Sequence, residues 1–176
     1  PPEYNGYKVY WQDGGQIVPP EDQNIIKEIN KLEYKDISFD TNSSLIKFID
    51  KDVDKEFIRQ SVLNGKLSDD IKLKNKLNIV FTSLHGTSIT LIPDVLKNAG
   101  FNNVHIVEEQ RIPDGNFPTV ESPNPEETKA LEMALKLGKK VNADIVIGTD
   151  PDGDRLGIAV RNNHGELILL NGNEVM

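Results

Sequence analysis

An acidic loop between two apolar runs constrains the fold of this chain more than any other stretch of its sequence. The runs at residues 143–149 and 156–160 predict two strands, since short apolar runs bounded by turn residues are typical of buried strands. Three aspartates lie between them: Asp150, Asp152 and Asp154. The sequence therefore predicts a strand–loop–strand unit with three carboxylates in its turn.

This loop also predicts a metal site. Carboxylates this close together repel one another unless a cation lies among them, and hard divalent cations prefer oxygen ligands. Pro151 fixes its own φ and Gly153 permits unusual φ, so the loop can curl until the alternating carboxylates converge. Three carboxylates leave coordination positions for water and a phosphate oxygen, as is usual for Mg²⁺. Arg155, directly behind them, indicates that a phosphate group visits the site.

Other kinds of site share this acidic pattern. An EF-hand is excluded, because its sixth and twelfth loop positions need Gly and Glu, and this chain has Arg155 and Arg161 there. A dehalogenase-type phosphatase would use Asp150 as a nucleophile after a strand. That motif generally lies on an early strand, whereas this one is near the end of the chain. The phosphatase stays open as an alternative, as do a non-catalytic cation-binding module and an acidic surface turn without metal.

Composition excludes several classes of protein. The 176 residues carry a net charge of −8, which argues against a nucleic-acid-binding surface, since such surfaces carry a clustered basic face. The chain has no cysteine, so disulfides, thiolate catalysis and zinc–cysteine sites are excluded. No apolar run approaches the ~20 residues that a membrane span needs. These observations fit a globular, cytoplasmic enzyme that binds neither nucleic acid nor membrane.

Strands and helices alternate along the chain and predict an α/β fold with an antiparallel hairpin extension on its C-terminal side. Strands are expected at residues 78–82, 104–107, 143–149, 156–160 and 166–170, with a short strand-like run at 8–11. Helices are expected at about residues 21–33, 53–65 and 126–141, and from Thr87 or Ser88 to about Asn98.

Two further segments are candidates for function. Residues 83–88 follow a strand and precede a helix, where backbone N–H groups collect and anions bind; a structural turn with a capping threonine is an equal alternative. His85 in this segment is either a ligand contact or a packed loop histidine. The proline-rich loop at residues 109–125 is expected to brace the fold, with Phe117 filling the core.

Four separated motifs resemble those of the α-D-phosphohexomutases, the phosphoglucomutase/phosphomannomutase superfamily. They are Pro-Glu-Tyr-Asn-Gly-Tyr-Lys at residues 2–8, Leu-His-Gly at 84–86, Pro-Asp-Gly-Asn-Phe-Pro at 113–118 and Asp-Pro-Asp-Gly-Asp-Arg at 150–155, in the order of the family. The first resembles the stretch after the family's Ser-His-Asn-Pro active-site motif. Residues 5–16 are most similar to bacterial α-phosphoglucomutases, with a likeness to the phosphopentomutase-related branch.

The resemblance implies that the chain is an internal fragment of a four-domain enzyme. Residues 1–20 would be the C-terminal tail of domain I and residues 171–176 the start of domain III. Residues 21–170 would form domain II, a mixed β-sheet packed with helices in three α/β/α layers. The phosphoserine would then lie upstream of Pro1 and the sugar-recognition loop downstream. We therefore expect the fragment to be inactive alone, with residues 1–20 disordered or pairing with another copy.

The resemblance further implies an isomerase that moves a phosphoryl group between C1 and C6 of a hexose phosphate through the phosphoserine. Asp150, Asp152 and Asp154 would hold Mg²⁺, Arg155 would contact the phosphoserine region, and Lys8 would act as general acid and base. Hexose phosphate and hexose bisphosphate would be the partners of the intact enzyme. Without the phosphoserine oxygen, we expect the fragment to hold Mg²⁺ weakly. The sugar itself is not identified, because the loop that distinguishes glucose, mannose, glucosamine and pentose phosphates would lie downstream.

Overall fold

The structure is a computed structural model that describes residues 8–40, 42–49, 51–65 and 74–175. The chain divides into two compact units, Pro1–Phe48 and Ile49–Met176. Residues 1–7 lie outside the described residues. They include most of the first motif of the family resemblance, at residues 2–8, and the first seven of the twenty residues expected to be disordered or to pair with another copy. Within the part of the chain that the structure describes, no helix has both the length and the apolarity to cross a membrane.

The first unit contains little regular structure in its described part. The predicted strand at residues 8–11 is reduced to a single antiparallel bridge between Tyr10 and Gln16. Helix α1, Glu21–Ile29, is followed by short 3-10 turns at Tyr34–Asp36 and Ser43–Leu45. It ends earlier than the predicted limit near residue 33, because the N–H groups of Lys31 and Leu32 bond to carbonyls three residues back, which tightens the chain out of the α-helix.

The second unit is built around one mixed sheet of five strands. They are β1 (Asn78–Thr82), β2 (Asn103–Ile106), β3 (Ile145–Thr149), β4 (Leu156–Arg161) and β5 (Leu167–Leu170), in the order β2-β1-β3-β4-β5. β1 runs parallel to β2 and β3, whereas β4 runs antiparallel to β3 and β5. The predicted α/β fold, with its antiparallel hairpin at the C-terminal side, is confirmed.

The helices of this unit are α2 (Lys51–Asn64), α3 (Ile92–Asn98), α4 (Glu132–Lys140) and a final turn, α5 (Gly172–Val175). α4 packs on one face of the sheet. There, Val80, Val146 and Ala159 from three adjacent strands join Ala134 of α4 in a buried cluster. Burial of these side chains is the main favourable term that holds helix and sheet together.

Two helices begin later than predicted. The helix expected from Thr87 or Ser88 starts as a 3-10 turn at Thr87–Thr90, and α3 begins only at Ile92. Pro93 lies in the first turn of α3, where its missing N–H costs nothing, and it could not donate from the middle of a longer helix. The helix expected from residue 126 begins at Glu132, because residues 124–131 form local turns instead.

Arg161 ties the end of α4 to the sheet. Its guanidinium donates to the carbonyl oxygens of Ala143 at 2.8 Å, Gly165 at 2.6 Å and Gly138 at 3.2 Å. Replacing Arg161 with methionine leaves these carbonyls without a charged donor, so we expect the free energy of unfolding to fall by about 1.5 kcal/mol. Urea denaturation measures this change. Arg111→Met is the control, because Arg111 forms only an exposed pair with Glu108, and equal losses in both variants would contradict the prediction.

Candidate metal centre

The acidic loop, residues 150–155, connects β3 to β4 and brings its three aspartates together. One carboxylate oxygen from each of Asp150, Asp152 and Asp154 lies within 4.8 Å of the others. The predicted curl is present, since Gly153 has a φ of +78° and donates its N–H to the carbonyl of Asp150 at 3.1 Å. Asp150 is only 2% exposed, whereas the other two carboxylates lie at the surface.

Arg155 neutralises the buried carboxylate. Its backbone N–H donates to Asp150 Oδ1 at 2.9 Å, and its Nε–H donates to Asp150 Oδ2 at 3.0 Å. Burial raises the pKa of Asp150, but the two bonds from Arg155 and smaller contributions from Asp154 and Asp152 together hold the pKa of this carboxyl below its ordinary value. The same side-chain bond raises the pKa of Arg155. Asp150 is therefore ionised at neutral pH, with one cation already beside it.

The donor set fits a hard divalent cation. Opposite oxygens are about 4.2 Å apart around Mg²⁺ and about 4.6–5.2 Å apart around Ca²⁺. The three oxygens, all within 4.8 Å of one another, are therefore close enough to share one divalent cation, and their separations do not distinguish Mg²⁺ from Ca²⁺. Each oxygen of Asp150 already accepts one hydrogen bond from Arg155, and a carboxylate oxygen has a second lone pair to offer a metal.

A second loop, residues 83–88 after β1, holds the acidic loop in place; we call it the histidine loop. Thr87 donates its N–H and its hydroxyl to the carbonyl of Pro151 at 2.9 and 3.1 Å. Ser88 Oγ is 2.6 Å from Thr149 Oγ1. The prediction that Thr87 or Ser88 caps a helix is wrong, because the hydroxyl of Thr87 bonds to Pro151 in the acidic loop and that of Ser88 to Thr149 at the end of β3, the two neighbours of Asp150 in sequence.

Sequence reasoning missed this role of Thr87 and Ser88, although a signal was present. β1 and β3 are adjacent parallel strands, and the loops that follow parallel neighbours meet at the same edge of a sheet. A hydroxyl-rich segment directly after β1 would then be expected to contact the segment directly after β3.

Of the two alternatives for His85, a ligand contact or a packed loop histidine, the structure favours the packed histidine. It is 5% exposed, and its ring nitrogens lie 3.1 Å from the carbonyl oxygen of Ile112 and 2.9 Å from Thr119 Oγ1. The loop at residues 109–125 contributes both partners. The prediction that Phe117 fills the core is wrong, since Phe117 is half-buried in a turn with a φ of +47°. Gln110, which is 0% exposed, is the buried anchor of this loop instead.

Lys8 lies in the first compact unit and is exposed. The candidate metal centre is built entirely from residues of the second unit. The catalytic role that the resemblance implies for Lys8 stays a prediction.

Comparison with known proteins identifies the family of the chain. The family model described as phosphoglucomutase/phosphomannomutase, alpha/beta/alpha domain II, matches residues 55–165, and the model for domain I of the same family matches residues 1–36. The phosphoglucomutases of Staphylococcus aureus strains MRSA252 and N315 are each 40% identical over 181 aligned residues, covering 99% of this chain and 32% of theirs. The chain thus spans about a third of the length of the curated relatives it matches.

A crystal structure of a phosphoglucomutase/phosphomannomutase family protein from Burkholderia thailandensis is similar in fold. Its TM-score is 0.50 at 24% identity, and the likeness covers 66% of this chain and 22% of that one. This likeness concerns the fold alone. The domain II model matches more than half of the residues, and the mixed sheet with its helices agrees with the alpha/beta/alpha fold of that domain. The chain therefore belongs to the phosphoglucomutase/phosphomannomutase family.

Proposed function

We propose that this chain supplies the metal-binding domain of a phosphohexomutase, which moves a phosphoryl group between C1 and C6 of a hexose phosphate. The observation that carries the proposal is the convergence of Asp150, Asp152 and Asp154 at the turn between β3 and β4, in a chain whose relatives are named phosphoglucomutases. Hexose phosphate and hexose bisphosphate would be the substrate and the intermediate of the intact enzyme. Its phosphoserine would lie in another part of the protein.

In this proposal the residues of the acidic loop have two functions, metal binding and phosphate binding. The three aspartates would hold Mg²⁺, which when bound supplies positive charge to the phosphoryl group in transfer. Arg155 uses its Nε–H to hold Asp150, and this leaves its terminal amino groups, on a side chain that is 51% exposed, to donate to a phosphate oxygen. Lys8 would exchange the proton of the sugar hydroxyl.

The domain assignment belongs to the same proposal. Residues 1–20 would close domain I, residues 21–170 would form domain II, and residues 171–176 would begin domain III. The acidic loop would then face a domain that carries the phosphoserine. Because the chain spans about a third of its relatives, we expect these 176 residues to show no turnover when produced alone.

Calorimetric titration of the 176-residue chain with Mg²⁺ tests the metal assignment. We expect a dissociation constant on the order of 1 mM, since a small, partly exposed oxygen site binds a divalent cation weakly. Asp152→Asn should weaken binding at least tenfold without affecting folding, because Asp152 is exposed. Glu121→Gln, which removes an exposed charge outside the loop, should bind as the parent does. Equal binding by Asp152→Asn and the parent would refute the assignment.

An activity assay on the natural protein that carries these residues completes this test. It measures the conversion of glucose 1-phosphate to glucose 6-phosphate. Activity should be lost in Asp152→Asn and strongly reduced in Lys8→Met. Release of inorganic phosphate that depends on Asp150 would favour a dehalogenase-type phosphatase instead. The structure weighs against that outcome, because Asp150 is buried and both of its carboxylate oxygens accept hydrogen bonds from Arg155.

A further inference from the structure

His85 lies in the left-handed region of backbone conformation, and so does the residue before it. Leu84 and His85 have φ values of +47° and +61°, two consecutive left-handed residues without glycine. Residues with a Cβ are disfavoured in this conformation and persist in it only where their surroundings hold them. The contacts of His85 must therefore supply the restraint that keeps the histidine loop in this shape.

The backbone of His85 is held on both sides by the loop at residues 109–125. Its N–H donates to the carbonyl of Gln110 at 3.1 Å, and its carbonyl accepts the N–H of Asp114 at 3.0 Å. The hydroxyl of Ser83 also donates to the carbonyl of Gln110, at 3.2 Å. These bonds position the histidine loop against a proline-rich neighbour.

The ring of His85 completes a hydrogen-bond chain with a defined direction. Nδ1 lies 3.1 Å from the carbonyl oxygen of Ile112, which can only accept, so Nδ1 carries the proton and donates. In the neutral ring Nε2 then accepts from the hydroxyl of Thr119 at 2.9 Å, and Thr119 Oγ1 in turn accepts from Gln110 Nε2–H at 3.0 Å. Both ring nitrogens are thus used, and the ring has one tautomer that satisfies all of its partners.

The hydrogen bonds of Gln110 also reach the start of the histidine loop. Thr82 donates its hydroxyl to Gln110 Oε1 at 2.6 Å and accepts the N–H of Leu84 at 3.1 Å. Gln110 therefore links Thr82, at the end of β1, to Thr119 and His85. The two left-handed residues lie between these two anchors, so the loop cannot relax at one end without breaking a buried bond at the other.

The residues that follow His85 pass this restraint to the acidic loop. Gly86 lies directly against the backbone of Pro151, and Thr87 donates two hydrogen bonds to the carbonyl of Pro151. Asp150 lies between Pro151 and Thr149, which Ser88 contacts. A shift of the histidine loop would therefore move the segment that carries the buried carboxylate of Asp150.

We propose that His85 is a positioning residue for the acidic loop: its ring fixes the histidine loop, which in turn fixes Pro151 and Asp150. This inference rests on the proposed metal site for its functional meaning, but not for its test. The hydrogen bonds of His85 go to the loop at residues 109–125, and it acts on the acidic loop through Thr87 and Pro151.

Amide hydrogen exchange on the 176-residue chain without metal tests the positioning role directly. The reporters are the N–H groups of Thr87, Gly153 and Arg155, which bond to Pro151 and Asp150. In His85→Ala we expect these three amides to exchange at least tenfold faster relative to the amides of β3 and β4. A merely structural role would raise exchange at all of these amides by a common factor, and that result would overturn the proposal.

Two milder variants keep the test decisive if His85→Ala does not fold. His85→Asn tolerates a left-handed backbone and its amide can donate to Ile112, so it should restore part of the protection. Thr119→Val keeps the histidine but removes the hydroxyl on its Nε2, so it should loosen the same three reporters. Unchanged relative exchange in Thr119→Val would overturn the proposal as well.

Calorimetry then connects the positioning role with the metal site. We expect His85→Ala to raise the Mg²⁺ dissociation constant about tenfold, as loss of outer partners of a metal site commonly does. His85→Asn should recover part of that affinity. If the parent chain binds no Mg²⁺ at all, the proposed function fails while the exchange data still decide the role of His85. If the parent binds and His85→Ala binds equally well, the positioning role alone is refuted.

Discussion

Replacing Gly86 with alanine is expected to displace the acidic loop and to remove Mg²⁺ binding at millimolar concentrations. A Cβ at this position would lie 2.6 Å from the carbonyl oxygen of Pro151 and 2.8 Å from its carbonyl carbon. Those are backbone atoms that cannot rotate away, so the two loops must separate. Separation breaks both bonds from Thr87 to Pro151 and moves Asp150, which is next to Pro151.

Urea denaturation and calorimetry of Gly86→Ala measure this effect. We expect the free energy of unfolding to fall by about 1–3 kcal/mol, the usual cost of overpacking a close contact. Gly115→Ala is the matched control, because a Cβ there would meet nothing within 4 Å. The control should stay within about 0.5 kcal/mol of the parent and bind Mg²⁺ normally. Normal Mg²⁺ binding by Gly86→Ala would show that the contact with Pro151 does not set the acidic loop.

The strands and the acidic triad could be predicted from sequence because their signals are local. Each strand is a short apolar run bounded by turn residues, and all five are present. The convergence of the three aspartates follows from Pro151 and Gly153 within the same six residues. These features depend on neighbours in sequence, which a single chain displays directly.

The bracing of the site could not be predicted in the same way, because it joins distant residues. Thr87 and Pro151 are 64 positions apart, and Thr82 and Gln110 are 28 apart. Thr87 has the residue type of a helix cap, and the local pattern favours that use. In the structure the Thr87 hydroxyl donates to the carbonyl of Pro151 instead, because β1 and β3 pair in parallel and the loops that follow them meet.

Replacing Asp150 with asparagine is expected to remove Mg²⁺ binding and to destabilise the fold together. An amide can accept the N–H of Arg155 through its oxygen, but its NH₂ group would then face the Nε–H of Arg155, donor against donor. Turning the amide over only exchanges the two conflicts. Loss of a charge-assisted bond in this buried position should lower the free energy of unfolding by about 1.5–3 kcal/mol at pH 7.

The pH dependence of this loss has a definite sign. The pKa of Asp150 is lower in the folded chain than its ordinary value, because the bonds from Arg155, with smaller contributions from Asp154 and Asp152, outweigh burial. Its carboxylate therefore stabilises the fold fully above the unfolded pKa, which is about 3.9, and this contribution disappears as the pH falls through the lower folded value. Urea denaturation of the parent and of Asp150→Asn should give a constant difference from pH 8 to 5 that shrinks below pH 4.

Comparison of positions 150 and 152 separates the two roles that the acidic loop combines. Asp152 is exposed, so Asp152→Asn should lose Mg²⁺ affinity while keeping the stability of the parent. Asp150→Asn should lose both, because the buried carboxylate holds Arg155 as well as the metal. A stable Asp150→Asn variant, or a difference that persists unchanged at pH 3, would mean that the bonds from Arg155 do not hold this loop. The metal assignment would then rest on the exposed carboxylates alone, and the order of the loop would have to come from the histidine loop.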